Sequence, residues 1–142
     1  SWSRGGPRLA AVSAHMQIGE VATRTGLSLR TLRYYEEVGL VAPSARSAGG
    51  FRLYTALDVD RFELIKRMKP LDFSLEDMRG LLGVVDALDA EPDDAERARL
   101  LGELESLRAA AEERVDTLRT RLAWAEEFAA GLDERVRAQR DR

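Results

Sequence analysis

From Asp94 to Arg137 the chain runs without proline, and apolar residues recur along it at the spacing of a coiled-coil seam. Leu101, Arg108, Val115, Leu122, Ala129 and Val136 follow one another every seven residues. Leu104, Ala111, Leu118, Ala125 and Leu132 stand three residues after the first five of these. They are the a and d positions of a heptad repeat, and only Arg108 among them is polar. A helix over residues 95–137 would extend roughly 60 Å at ~1.5 Å per residue. Such a helix must cover its seam, and the chain has no second long helix to lay against it. The simplest cover is another copy, so residues 95–137 predict a dimerising coiled coil, with 138–142 as a tail. The dimer contacts are expected from Leu101, Leu104, Arg108, Ala111, Val115, Leu118, Leu122 and Ala125. Arg108 weakens the seam; it either fixes the register or pairs with a glutamate such as Glu105 or Glu112. The pattern does not choose between parallel and antiparallel helices.

Beside the seam stand Trp124 and Phe128, four residues apart. Two solvated aromatics would be wasteful. They are expected to pack against another body, the partner's amino-terminal domain for instance, or to form an effector patch.

The remaining length, in a chain of 142 residues, leaves room for one small domain ahead of the long helix. No stretch of about eighteen apolar residues is present, so no membrane span or membrane partner is expected. The opening SWSRGGPRLAAVSAH has no apolar core long enough for a signal peptide. Residues 1–15 are read as a leader, either disordered or an upstream remnant, and His15 within it as an exposed bystander. Cysteine is absent, which excludes disulfides, thiolate metal sites and thiol redox sensing from these residues. Neither a metal nor another cofactor is required, and a cytoplasmic location is expected. The net charge of −3 hides an asymmetry: up to Pro70 there are 11 Lys and Arg against 6 Asp and Glu, and beyond it 11 against 19. A basic amino-terminal half suits a chain that holds a polyanion at one end.

Within that basic half, TGLSLRTLRYYEEVGL (Thr25 to Leu40) carries the chemistry. Gln17 to Thr25 reads as a first helix, with Ile18, Val21 and Ala22 on one face. Gly26 ends it. Ser28 can cap the next helix by accepting a backbone N–H that the first turn leaves free. Leu32 and Tyr35 face inward; Arg30, Thr31 and Tyr34 project outward, with Arg33 at the edge. Gly39 closes the helix and Leu40 and Val41 anchor the exit. A cationic, hydroxyl-bearing helix held by a tight turn on a preceding helix is what a helix that reads DNA needs. An ordinary helical hairpin would share the pattern.

After Ala42-Pro43, which cannot continue a helix, comes SARSAGGFRLYT. Gly49-Gly50 can turn a hairpin, and Phe51 and Leu53 alternate with Arg52 and Tyr54. With Phe51 and Leu53 packed, Arg52 and Tyr54 would point outward as a wing, joined by Arg46 from the other arm. Such side chains make positioning contacts to phosphate, although a plain surface hairpin would simply solvate them. Thr55 and Asp58 resemble a capping box for a third helix with Val59, Phe62, Ile65 and Met68 inward. Lys66, Arg67 and Lys69 crowd its end, where they complement the helix dipole or meet phosphate. Ser74 caps a fourth helix with Met78, Leu81, Leu82 and Val85 as its core face. Residues 86–94 read as an acidic linker, and their spacing is not that of a calcium loop.

Taken together, IGEVA, LRYYEEVGL, GGFRLY and the capped FSLEDM closely resemble the amino-terminal domain of the MerR family of bacterial transcription regulators. The likeness spans Met16 to about Leu82, and the long heptad helix resembles the family's antiparallel dimerisation helix. The resemblance implies a mainly α fold: a winged helix-turn-helix domain over residues 16–85 with a small β-hairpin wing, followed by the coiled-coil helix. It implies a homodimer on promoter DNA that kinks and untwists an over-long spacer, so that RNA polymerase engages both promoter elements. The positions matching the family's DNA contacts are Ser28, Arg30, Thr31, Arg33 and Tyr34 in the recognition helix. Arg46, Arg52 and Tyr54 match in the wing, and Lys69 matches a backbone contact. The chain departs from the metal and redox sensors of the family in having no cysteine. A small-molecule effector would have to bind elsewhere, near residues 80–96 or around Trp124.

The competing reading is a coiled-coil dimer whose helix-turn-helix docks a protein partner instead of DNA. No Ser/His/Asp set, metal-ligand cluster or phosphate-cradling glycine loop speaks for an enzyme.

Overall fold

A computed structural model describes residues 15–142. The expected leader, except for His15, lies outside the described residues. The elements run in the order β1 (Met16–Gln17), α1 (Ile18–Thr25), α2 (Leu29–Glu37), β2 (Ala45–Arg46), β3 (Arg52–Tyr54), α3 (Ala56–Met68), a 3₁₀ turn (Lys69–Leu71), α4 (Leu75–Asp89) and α5 (Asp94–Arg140). They fall into two compact units divided between Asp89 and Ala90.

In the first unit local chemistry sets the helix ends. Gly26 takes a left-handed backbone (φ 73°) and donates its N–H to Ala22 O. Ser28 Oγ accepts from Thr31 N–H at 3.1 Å. Gly39, also left-handed (φ 79°), turns the chain so that Leu40 N–H reaches Tyr35 O, and Leu40 and Val41 are buried beyond it. The Thr55–Asp58 capping box forms as expected, and Ser74 and Asp77 make a second reciprocal pair at the start of α4. Two long cations complete the helix-turn-helix. Lys66 Nζ donates to Thr25 O, at the end of α1, over 2.6 Å. Arg79 Nη2 donates to Val38 O, at the end of α2, over the same 2.6 Å. Each satisfies a carbonyl that a helix carboxyl end leaves without a partner.

The core is built from Val21 of α1, Leu32 and Tyr35 of α2, Tyr54 of β3, Phe62, Ile65 and Met68 of α3, and Met78 and Leu82 of α4. Phe62 is its hub, with its ring centroid 6.5 Å from that of Tyr35 and 6.0 Å from that of Tyr54. A polar thread runs from the wing to α4 through one buried carboxylate. Asp58, 1% exposed, accepts from Ser44 Oγ at 2.6 Å, Thr55 N–H at 3.0 Å and Arg61 Nη1 at 2.6 Å. Arg61 continues to Asp86 of α4, with Nη2 to Oδ1 at 2.9 Å. Burial alone would lower the Arg61 pKa, but the hydrogen bonds and charges of Asp86 and Asp58 outweigh it and hold the guanidinium above its ordinary value.

The structure corrects the expected wing. β3 is the middle strand of a three-stranded antiparallel sheet, paired with β2 (Arg46 opposite Arg52) and with β1 (Met16 opposite Tyr54). Two of its four expected positions are reversed, while Arg52 and Leu53 are both partly exposed. Tyr54 is fully buried and Phe51 is 63% exposed. The large Tyr54 ring fills the space above Phe62, whereas Phe51 is carried outward at the hairpin turn, where Gly50 adopts φ 84°. Alternation named the two faces but not which was inner, and Tyr can serve either.

The acidic linker is also shorter than expected. α4 continues through Asp89, so Asp86 and Asp89 are helical, and Asp86 is held by Arg61. Asp93 caps the second unit, accepting from Glu96 N–H at 2.8 Å. That unit is one helix of 47 residues, longer at both ends than residues 95–137. Among its seam residues Leu101, Val115, Leu118, Leu122, Leu132 and Val136 are exposed in the single chain. Arg108 lies 3.8 Å from Glu105, with both side chains mostly exposed, a contact of little energetic weight. Among the described residues no helix is long and apolar enough to cross a membrane.

Candidate nucleic-acid interface

Leu32 and Tyr35 pin α2 to the core, which fixes the face it presents to solvent. Arg30, Arg33 and Tyr34 stand exposed on that face, and so does Glu37, which sequence reasoning passed over. Ser28 is exposed, but its hydroxyl is engaged: it accepts from Thr31 N–H and donates to Thr31 Oγ1 at 2.9 Å. Thr31, partly covered, therefore keeps its own hydroxyl proton for an external acceptor.

Beside this face stands the wing. Arg33, Arg52, Phe51, Gly50, Gln17 and Ile18 line an open cleft of about 140 Å³ between α2, the hairpin tip and the start of α1. The cleft thus joins a recognition-helix cation to a wing cation. It also lies at the amino end of α1, where Gln17 provides no side-chain cap for the first free N–H groups. Anion binding is favoured where cations and unpaired helix N–H groups converge. Arg46 is half exposed, and its Nη1 donates to Gly50 O at 3.1 Å across the turn. Both wing arginines face the Glu36 carboxylate: Arg52 Nε is in direct contact with Oε1, and Arg46 Nη2 stands 3.8 Å from Oε2. Glu36 is a second residue that sequence reasoning missed, since nothing local ties it to the wing. Lys69 is exposed at the start of the 3₁₀ turn.

Tyr54, expected among the outward wing residues, does not belong to this surface. It is fully buried, its hydroxyl has no hydrogen-bond partner among the described residues, and burial, then the Glu36 charge, push its pKa above the ordinary tyrosine value. The other expected positions, Ser28, Arg30, Thr31, Arg33, Tyr34, Arg46, Arg52 and Lys69, are all exposed or partly so. Elsewhere, the region of residues 80–96 borders a cavity of about 20 Å³ between Asp60, Arg61 and Leu64 of α3 and Val85, Asp86 and Asp89 of α4. That cavity has space for one water. Trp124 and Phe128 are 64% and 70% exposed on α5.

Two family descriptions match this chain. Residues 16–83 match the MerR HTH family regulatory protein, and residues 59–135, more than half of the chain, match MerR, DNA binding. The chain belongs to the MerR family. The mercuric resistance operon regulatory protein of Bacillus cereus is 44% identical to it over 75 residues, which is 53% of this chain and 57% of that protein. The chain thus spans little more than half the length of that relative. A MerR family regulator from Listeria monocytogenes superposes with a TM-score of 0.62 at 25% identity, covering 83% of this chain and 86% of its own. HiNmlR, a MerR family regulator lacking the sensor domain, bound to promoter DNA, has the same fold (TM-score 0.58, 21% identity, 81% and 78% of the two chains). The winged helix-turn-helix is therefore the MerR arrangement.

Proposed function

We propose that this MerR family protein is a homodimeric, sequence-specific transcription regulator that binds double-stranded promoter DNA and acts by deforming the promoter spacer. Residues 16–85 read the DNA, and residues 95–137 pair two copies through the seam from Leu101 to Ala125. The observation that carries the reading is the cleft in which Arg33 of α2 faces Arg52 of the wing, next to the outward row of Arg30 and Tyr34. A groove of that kind accepts a phosphate ridge while the helix beside it enters the major groove. HiNmlR, which shares the fold, is bound to promoter DNA.

In this reading Arg30, Thr31 and Tyr34 reach base edges, and Ser28, Arg33, Arg46, Arg52 and Lys69 hold the backbone. Few base contacts and many phosphate contacts suit recognition through DNA shape and bending, which is how RNA polymerase would be helped onto a mis-spaced promoter. A small-molecule effector would act only through different affinity for two conformations of the dimer, and Trp124 and Phe128 offer it an exposed aromatic surface. The protein would work in the cytoplasm.

The test is binding of the full chain to its own upstream region and to a scrambled duplex across a salt series. Preferential binding by a dimer, with affinity falling steeply with salt, is the expected result. Absence of duplex binding by an intact dimer would overturn the reading in favour of a protein-docking role.

A further inference from the structure

The two wing arginines converge on a residue that the proposed function leaves without a role. Glu36 lies one residue before the end of α2, and its side chain is only 18% exposed. Arg52 Nε lies in ion-pair contact with its Oε1, without hydrogen-bond geometry, and both atoms are closed off from solvent. Arg46 approaches the other carboxylate oxygen more loosely, at 3.8 Å. A guanidinium carries five N–H donors in a planar fork. Glu36 engages the Nε edge of Arg52, while the side chain as a whole stays 39% exposed in the cleft shared with Arg33.

We propose that Glu36 is the positioning residue of the wing: it fixes the Arg52 guanidinium, and more loosely that of Arg46, so that their outer nitrogens meet duplex phosphate already oriented. The inference rests on the reading of this surface as a DNA interface. An unanchored arginine loses rotamer freedom when it binds phosphate; one held by a shielded carboxylate has lost it beforehand. Were Glu36 merely an anion beside the DNA, its removal would have the opposite effect, because one fewer negative charge near phosphate tightens binding. The two roles therefore differ in sign.

Wing contacts to phosphate carry no sequence information, so a labelled mixed-sequence duplex of about 30 base pairs, roughly three helical turns, is a sufficient probe. Anisotropy titrations across a salt series would compare the full-length wild type with Glu36→Ala, Arg52→Ala and the double variant, with thermal melts to check the fold. Loss of oriented, charge-assisted contacts should weaken Glu36→Ala about tenfold, although its net charge is more positive. In the Arg52→Ala background most of that effect should vanish, and Glu36→Gln, which keeps an acceptor oxygen, should recover part of it. Equal or tighter binding by Glu36→Ala overturns the proposal, as does an equal loss with and without Arg52. Should the alanine variant fail to fold, Glu36→Gln carries the same test: weakening supports positioning, and tightening overturns it. A wild type whose affinity ignores salt would strike the DNA reading itself, and the positioning role with it. Tight, salt-dependent wild-type binding unaffected at Glu36 would strike the positioning role alone.

Discussion

Tyr54 shows how far a single side chain can depart from its local pattern. Its hydroxyl is buried and has no partner among the described residues, a state that costs about 1–3 kcal/mol of desolvation. Tyr54→Phe removes that group and keeps the ring against Phe62. The variant should be as stable as the wild type or more so, by up to about 2 kcal/mol in a denaturant melt, with duplex affinity unchanged. Lost affinity at full stability would mean that Tyr54 turns outward to phosphate when DNA arrives. The sequence could not have placed this residue. A run of alternating apolar residues has two faces, and which of them is inner is decided by Phe62 and β1, neither of which is local to it. Glu36 escaped notice for a related reason: its partners lie 10 and 16 residues away on another element. The residues that were legible, such as Ser28, Gly26, Gly39 and the Thr55–Asp58 pair, act within one turn of themselves.

Between elements, the α3–α4 contact combines apolar packing with an uneven distribution of charge. Asp60 borders the small cavity there, and burial, then the charges of Glu63 and Asp89, raise its pKa above 3.8 against the opposing pull of Arg61. The folded state therefore takes up this proton more readily than the unfolded chain. Its contribution to stability is fully present below the ordinary carboxylate value, and it is lost as pH rises through the raised one. Asp60→Asn cannot ionise, so it should melt at a higher temperature than the wild type at neutral pH. The gap should close as pH falls to about 4. Equal melting temperatures across that range would show that the carboxylate is not opposed. The helices themselves were readable, because Phe62, Ile65 and Met68, and Met78, Leu82 and Val85, recur at helical spacing on the faces that are buried. The end of α4 was not, since acidic residues from Asp86 onward look like linker until Arg61, on another helix, is seen to hold one of them. β1, at two residues, is too short to leave a period.

For the whole molecule, the apolar row on α5 dominates. Leu118 and Leu122 are 39% and 58% exposed in one chain, within a stripe too continuous to be left to solvent in a stable monomer. Leu118→Glu places a charge at the centre of the proposed seam. In sedimentation the wild type should run as a dimer and the variant as a monomer. The monomer should also lose duplex affinity by about 10²-fold or more, since the second half-site would no longer be tethered to the first. A wild type that sediments as a monomer would refute the seam. At this scale the heptad pattern was the most legible feature of the chain, because a period sustained over so many turns has few other uses. The winged domain holds a subtler constraint. Lys66 and Arg79 close the carboxyl ends of α1 and α2, and each lies 41 residues beyond the carbonyl it closes. The glycine caps close most of each helix end locally, but the carbonyls of Thr25 and Val38 gain these donors only once α3 and α4 have formed. The surface proposed to meet DNA is thus finished by two helices that lie outside it.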